Sequence, residues 1–98
     1  MIVIGRFQAI PNYLELAKKL GANAFNIPES QWDAMTPEER WAINREFLDS
    51  AMAAGEQIIL ECAPEKVEPG STLEKELEYL RTLGYRPRLI GDRWEVMR

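Results

Sequence analysis

The stretch "TPEERWAINREFLDSAMAAGEQIIL", residues 36–60, decides the fold. Thr36, Pro37 and Glu39 are a helix start: a capping hydroxyl, a proline at the first helical position, and a glutamate three residues beyond the cap. Trp41, Phe47, Leu48, Ala51 and Met52 fall on one helical face, so the spacing predicts an amphipathic helix. Gly55 stops it. The apolar "IIL" at 58–60 is too short for a helix and reads as a strand buried on both faces. A helix that leads into a buried strand belongs to a layered α/β domain.

The same grammar extends in both directions. "MIVIG" at 1–5 is a β-branched strand closed by glycine, and "PNYLELAKKLG" at 11–21 a helix with Tyr13, Leu14, Ala17 and Leu20 on its apolar face. "NAFNIP" at 23–28 reads as a strand, and "ESQWDAM" as a loop or short helical turn. After "EQIILECAP" at 56–64 and a loop, "GSTLEKELEYLRTLGY" at 70–85 is a third long helix. Ser71 and Glu74 are expected to form a capping box, and Gly84 the stop. "YRPRLIGDRWEVMR" reads as a hairpin turning at Gly91-Asp92. The order β-α-β-α-β-α-β-β predicts one small layered α/β domain with a mixed sheet and a C-terminal hairpin.

Composition removes several function classes. The 98 residues suit one domain, and the 46% hydrophobic fraction suits a packed core. No apolar run is long enough to span a bilayer, and none combines with a basic start into a signal peptide. The single Cys62 excludes an internal disulfide and a cysteine-based zinc site. With no histidine, the usual neutral-pH acid/base and the commonest metal ligand are missing. The net charge of −4 argues against a large nucleic-acid footprint, yet it is uneven. From Arg81 onward five arginines stand against Asp92 and Glu95, a local +3, which leaves −7 for residues 1–80.

Three polar residues interrupt apolar patterns. Glu76 lies three residues after Leu73 and four before Leu80; Asn44 lies three after Trp41 and four before Leu48; Arg6 follows the first strand and its glycine. Ligands gather where strands end and helices begin in parallel α/β sheets, and an arginine there offers a fork of donors to phosphate or carboxylate. Arg6 and Glu76 are expected to be partners, with Asn44 supplying an amide to the same pocket. The alternatives are structural: Glu76 at the edge of its stripe reaching water, Asn44 on a loop carbonyl, Arg6 bridging to a helix carboxylate. Trp32 and Trp41 read as core, with a pocket wall as the alternative. There is no glycine-rich phosphate loop, and Ala63 two residues after Glu61 removes the metal-nuclease pattern. Cys62 lacks a histidine partner for nucleophilic work. No metal and no cofactor is expected.

The pieces "IGRF", "NAFNIP", "RWAINREFLDSAMAAGEQIIL", "PGS" and "EKELEYLRTLGY", in this order over roughly residues 3–90, resemble the C-terminal toxin domains of bacterial polymorphic toxins, of the Rhs and contact-dependent inhibition type. The resemblance implies the secreted tip of a larger effector, delivered into a target cell's cytoplasm and neutralised by a cognate immunity protein. Many such tips are ribonucleases that cut tRNA, and others consume NAD or modify proteins. Arg6, Asn26, Asn44, Ser71 and Glu76 match that pattern, while Ala9 departs from a position where it carries a polar residue. The expectation is therefore a monomeric, metal-independent ribonuclease with Arg6, Asn44 and Glu76 catalytic. Asn26, Ser71, Arg86 and Arg88 would bind substrate. The alternatives are a toxin acting on NAD or a nucleotide, and a non-catalytic interaction domain.

Overall fold

In the computed structural model, which describes residues 1–6, 13–25 and 27–98, the chain forms a five-stranded mixed sheet flanked by helices. Strand β1 (Ile2–Ile4) pairs in parallel with β2 (Asn23–Ala24) on one side and β3 (Ile58–Leu60) on the other. Strand β5 (Arg93–Met97) runs antiparallel to β3, and β4 (Arg86–Ile90) completes the edge, giving the order β2-β1-β3-β5-β4. The apolar runs explain the centre. Every residue of β1 and β3 is buried, because both faces of these strands are covered.

Alternation along the strands assigns the layers. Val3 and Ile59 face helix α1 (Tyr13–Leu20), where Ala17 is buried against them. Ile2, Ile4, Ile58, Leu60 and Val96 face the opposite way, toward α3 (Pro37–Ala53) and α4 (Thr72–Thr82). From these helices come Leu48, Ala51, Leu73 and Leu80, all buried. Removing a leucine of this size from water stabilises the fold by about 1.5–3 kcal/mol. The crossovers from β1 to β2 and from β2 to β3 thus run over opposite faces, and the strand order reverses direction between β1 and β3. Such a reversal opens a crevice outside the carboxyl ends of the strands.

The expected elements are present, with three differences. The strand read over 23–28 is only two residues long, Asn23–Ala24; Pro28 lacks the N–H a ladder needs and begins the turn into helix α2 (Glu29–Asp33). The loop after β3 contains a 3₁₀ turn, Pro64–Lys66. The capping box at Ser71 is half formed: its hydroxyl accepts from the Glu74 N–H, but the Glu74 carboxylate reaches back to the Gly70 N–H instead. The Ser71 N–H is taken by the Glu68 carbonyl. The box at Thr36 and Glu39 is complete. Thr36→Ala is expected to cost about 1 kcal/mol, read as a lower urea midpoint at unchanged slope. Gly84 stops α4 at φ 92, a conformation that a Cβ disfavours.

Candidate functional site

Two places deserve comparison, and the first is the crevice between β1 and β3. Arg6 leaves the end of β1 and Glu61 the end of β3, where the register sets Ile4 beside Leu60. Arg6 donates three hydrogen bonds to one carboxylate: from its backbone N–H (3.3 Å) and Nε (3.1 Å) to Oε2, and from Nη2 (3.0 Å) to Oε1. The Glu61 side chain is 4% exposed and that of Arg6 35%. The paired carboxylate raises the arginine's pKa further above its ordinary value. Burial, helped by the Glu61 charge, pushes the Cys62 thiol up to about 11, so it stays protonated and unreactive at neutral pH.

This arrangement corrects the expected pairing of Arg6 with Glu76. The guanidinium is occupied by Glu61, a strand-end acid whose sequence context excludes the metal-nuclease pattern and gives no local sign of this partnership. Both residues follow apolar strands of equal length, and that symmetry was the available signal.

The second place lies between α3 and α4 at their N-terminal ends. Glu76 does not reach water: it is 6% exposed, on the buried stripe between Leu73 and Leu80. Asn44, 2% exposed, faces it from α3. Burial pushes the Glu76 carboxyl up to about 8, and the neighbouring Asn44 amide opposes that rise without cancelling it. At neutral pH the carboxyl is mostly protonated. The Asn44 Oδ1 is buried with no hydrogen-bond partner among the described residues. An orphaned buried acceptor costs roughly 1–3 kcal/mol unless something fills it.

Asn44 forms part of the lining of a cleft of about 300 Å³. Pro37, Arg40 and Trp41 of α3 line one side, Gly70, Ser71, Thr72 and Lys75 the other, and Trp32 of α2 completes the wall. The two tryptophans are half buried, so the pocket-wall alternative describes them better than the core reading. Each carries a cation. The Arg40 guanidinium lies 5.0 Å from the Trp32 ring centre, its Nε donating to the Trp32 carbonyl at 2.8 Å. The Lys75 ammonium lies 4.9 Å from the Trp41 ring centre. Trp41 is braced edge-on by Tyr79, and Trp32 by Phe25. Neither Arg40 nor Lys75 has a carboxylate partner among the described residues.

The structure therefore brings together Asn44, Glu76 and Ser71, and leaves the other expected site residues elsewhere. Arg86 and Arg88 sit on β4 opposite Met97 and Glu95, and Glu95 pairs with Ile59. That register turns both arginines to the α1 face of the sheet, away from the cleft. Asn26 and Ala9 lie outside the described residues. Trp32, Arg40 and Lys75 were not picked out as ligand contacts by sequence reasoning. The usable signal was spacing: Arg40 is four residues before Asn44, and Ser71 four before Lys75, so each pair shares a helix face. Among the described residues no cluster of acidic or sulfur ligands is placed to hold a metal ion, and no helix is long and apolar enough to cross a membrane.

Fold and cleft together define a small layered α/β domain with an aromatic and cationic cleft at the N-terminal ends of two helices. No family model matches the chain, and neither a curated protein nor a solved structure matches it.

Proposed function

We propose that this chain is an antibacterial toxin domain that cleaves RNA without a metal, of the tRNA-cutting kind, and that the α3/α4 cleft is where the substrate strand binds. The observation that carries the reading is the cleft wall: two indoles, two cations without carboxylate partners among the described residues and a helix N-terminus, on a protein of net charge −4. Nucleic-acid strands are held by that combination of stacking surface and positive charge. The resemblance to polymorphic-toxin tips supplies the biological setting, with an immunity protein as partner and the target cytoplasm as the place of action.

Within this reading the expected roles shift. Arg6 is replaced as the cationic stabiliser by Lys75, which flanks the cleft and directly precedes Glu76. Asn44 touches the substrate, and Glu76 stands behind it as a positioning residue. Attack by a ribose 2′-hydroxyl on its own 3′-phosphate forms a 2′,3′-cyclic phosphate and breaks the bond to the 5′-oxygen of the next nucleotide; water takes the hydroxyl proton and gives one to the leaving 5′-oxygen, while Asn44 orients the phosphate and Lys75 with the helix end stabilises its developing charge.

Incubation with total tRNA and, separately, with NAD tests this directly. Discrete tRNA fragments and intact NAD are expected. Intact tRNA with consumed NAD would establish the reading in which the cleft holds a dinucleotide. Both substrates intact, together with harmless expression in bacteria lacking an immunity protein, would leave an interaction domain.

A further inference from the structure

Positive charge and exposed apolar surface concentrate in one place, the free edge of the sheet at β4. The large hydrophobic side chains that stand exposed among the described residues are Leu83, Leu89, Ile90 and Met97. Leu89 (56% exposed) and Ile90 (47%) are on β4, Met97 lies opposite Arg86 on β5, and Leu83 ends the helix that packs beside β4. The local +3 of residues 81–98 falls on the same segment, against −7 for the rest. Arg86 and Arg88 are exposed, and neither has a carboxylate partner among the described residues.

The register shows which backbone groups of this edge are open. The hairpin closes on Ile90 and Arg93 through a two-residue turn, with Gly91 at φ 66. The closing pair of such a turn exchanges both backbone hydrogen bonds, and bonded pairs then alternate along the strands. Arg86, Arg88 and Ile90 therefore bond β5, while the backbone groups of Pro87 and Leu89 point away from it. Pro87 fits that place, since a residue without an N–H belongs on the open side of an edge strand. The Pro87 carbonyl and the Leu89 N–H and carbonyl are thus left open, and no turn or loop bond among the described residues takes them. Side chains alternate across this edge: Arg86, Arg88 and Ile90 face the α1 side, Pro87 and Leu89 the other.

We infer that β4 is a docking edge for an extended segment of a partner protein, which adds a sixth strand with acidic residues beside Arg86 and Arg88 and apolar residues beside Leu89. Backbone pairing at a sheet edge supplies affinity, and alternate side chains supply specificity. Two arginines free of carboxylates select a segment of opposite charge, because their donor forks match carboxylates. An RNA strand is a poorer occupant. The basic side presents Arg86, Arg88, Ile90, Arg93, Glu95 and Met97, with no ring for a base to stack on. A second copy is poorer too, because it brings the same arginines and the same missing Pro87 donor to the edge. The edge shares no residue with the α3/α4 cleft, so it stands whether or not the chain cleaves RNA.

The test is a binding titration of the intact chain with a fluorophore-tagged peptide of about eight residues alternating glutamate and valine, long enough to cover a strand of this size. A peptide of the same composition with its glutamates in one block, and an alternating lysine–valine peptide, are the comparisons. The alternating acidic peptide is expected to saturate and to bind about tenfold or more tightly than either. It should slow hydrogen exchange at the Leu89 amide about tenfold or more, while the Arg88 and Ile90 amides, already in the ladder, change little. The double variant Arg86→Glu, Arg88→Glu should reverse the preference and take the lysine peptide, which also shows that it is folded. Equal binding of the alternating and blocked acidic peptides would mean charge attraction without an added strand and overturn the inference, as would the absence of saturable binding. Displacement of the peptide by an equal concentration of tRNA would make the edge an RNA surface instead. Leu89 protection that grows with chain concentration in the absence of peptide would make a second copy the occupant, and the inference would fall.

Discussion

Glu76→Gln is expected to be more stable than the parent protein at alkaline pH and to remove most of the parent's stability loss on the way there. Burial raises the Glu76 carboxyl from 4.5 to about 8, so its protonated form is the one the fold accommodates. Such a group contributes stability that is fully present below the unfolded-state value near 4.5 and lost as pH rises through about 8. At about 1.4 kcal/mol per pH unit, a gap of this width corresponds to a loss on the order of 5 kcal/mol. Glutamine keeps the shape and a polar group beside Asn44 but has no proton to lose.

The composition makes the measurement clean. With no histidine, Glu76 is the side chain among the described residues whose titration is moved to near neutrality. Urea unfolding across this pH range reads the slope, and a carboxyl-carbon NMR titration reads the group itself. Parallel profiles for parent and variant would show that Glu76 is hydrated in the folded state.

Arg6→Leu is expected to destabilise the chain by about 2 kcal/mol, well beyond an ordinary surface change. It leaves the Glu61 carboxylate, 4% exposed, without any of its side-chain donors. Breaking a fully buried pair costs roughly 3–5 kcal/mol; the 35% exposure of Arg6 brings water close and lowers that figure. Glu61→Gln should cost less, because the arginine freed by it can turn to solvent. Arg6→Leu combined with Glu61→Leu should recover most of the loss, since no charge is then stranded. This double variant, assayed where it is folded, also separates the two places in the molecule. It is expected to keep its tRNA cleavage per molecule, because Arg6 is a strand-end brace; a loss of tenfold or more would put Arg6 in the catalytic machinery.

The sequence located the right oddities and joined them wrongly. Glu76 and Asn44 each break a helical stripe at three and four residues from its apolar members, and both are buried. Periodicity fixes which face of a helix a residue occupies, and that knowledge sufficed to pick them out. Arg6 also stood at the end of its strand as expected. Its partner depended on which strand lies beside β1, a question no local pattern answers. Once β3 takes that place, Glu61 is brought beside Arg6 from 55 residues away, and Glu76 is left to Asn44.

Local sequence by itself determined the kind and order of the elements, because caps, glycine stops and the 3.6- and 2-residue periods act within a few residues of one another. It determined as well that the chain has no histidine and no internal disulfide. Tertiary structure alone decided the sheet order β2-β1-β3-β5-β4, the placing of Arg86 and Arg88 on the far face, and the meeting of two helix N-termini around Trp32, Trp41, Arg40 and Lys75. These are contacts between segments far apart in the chain. They are set by how whole apolar faces cover one sheet, so no short stretch of sequence carries them.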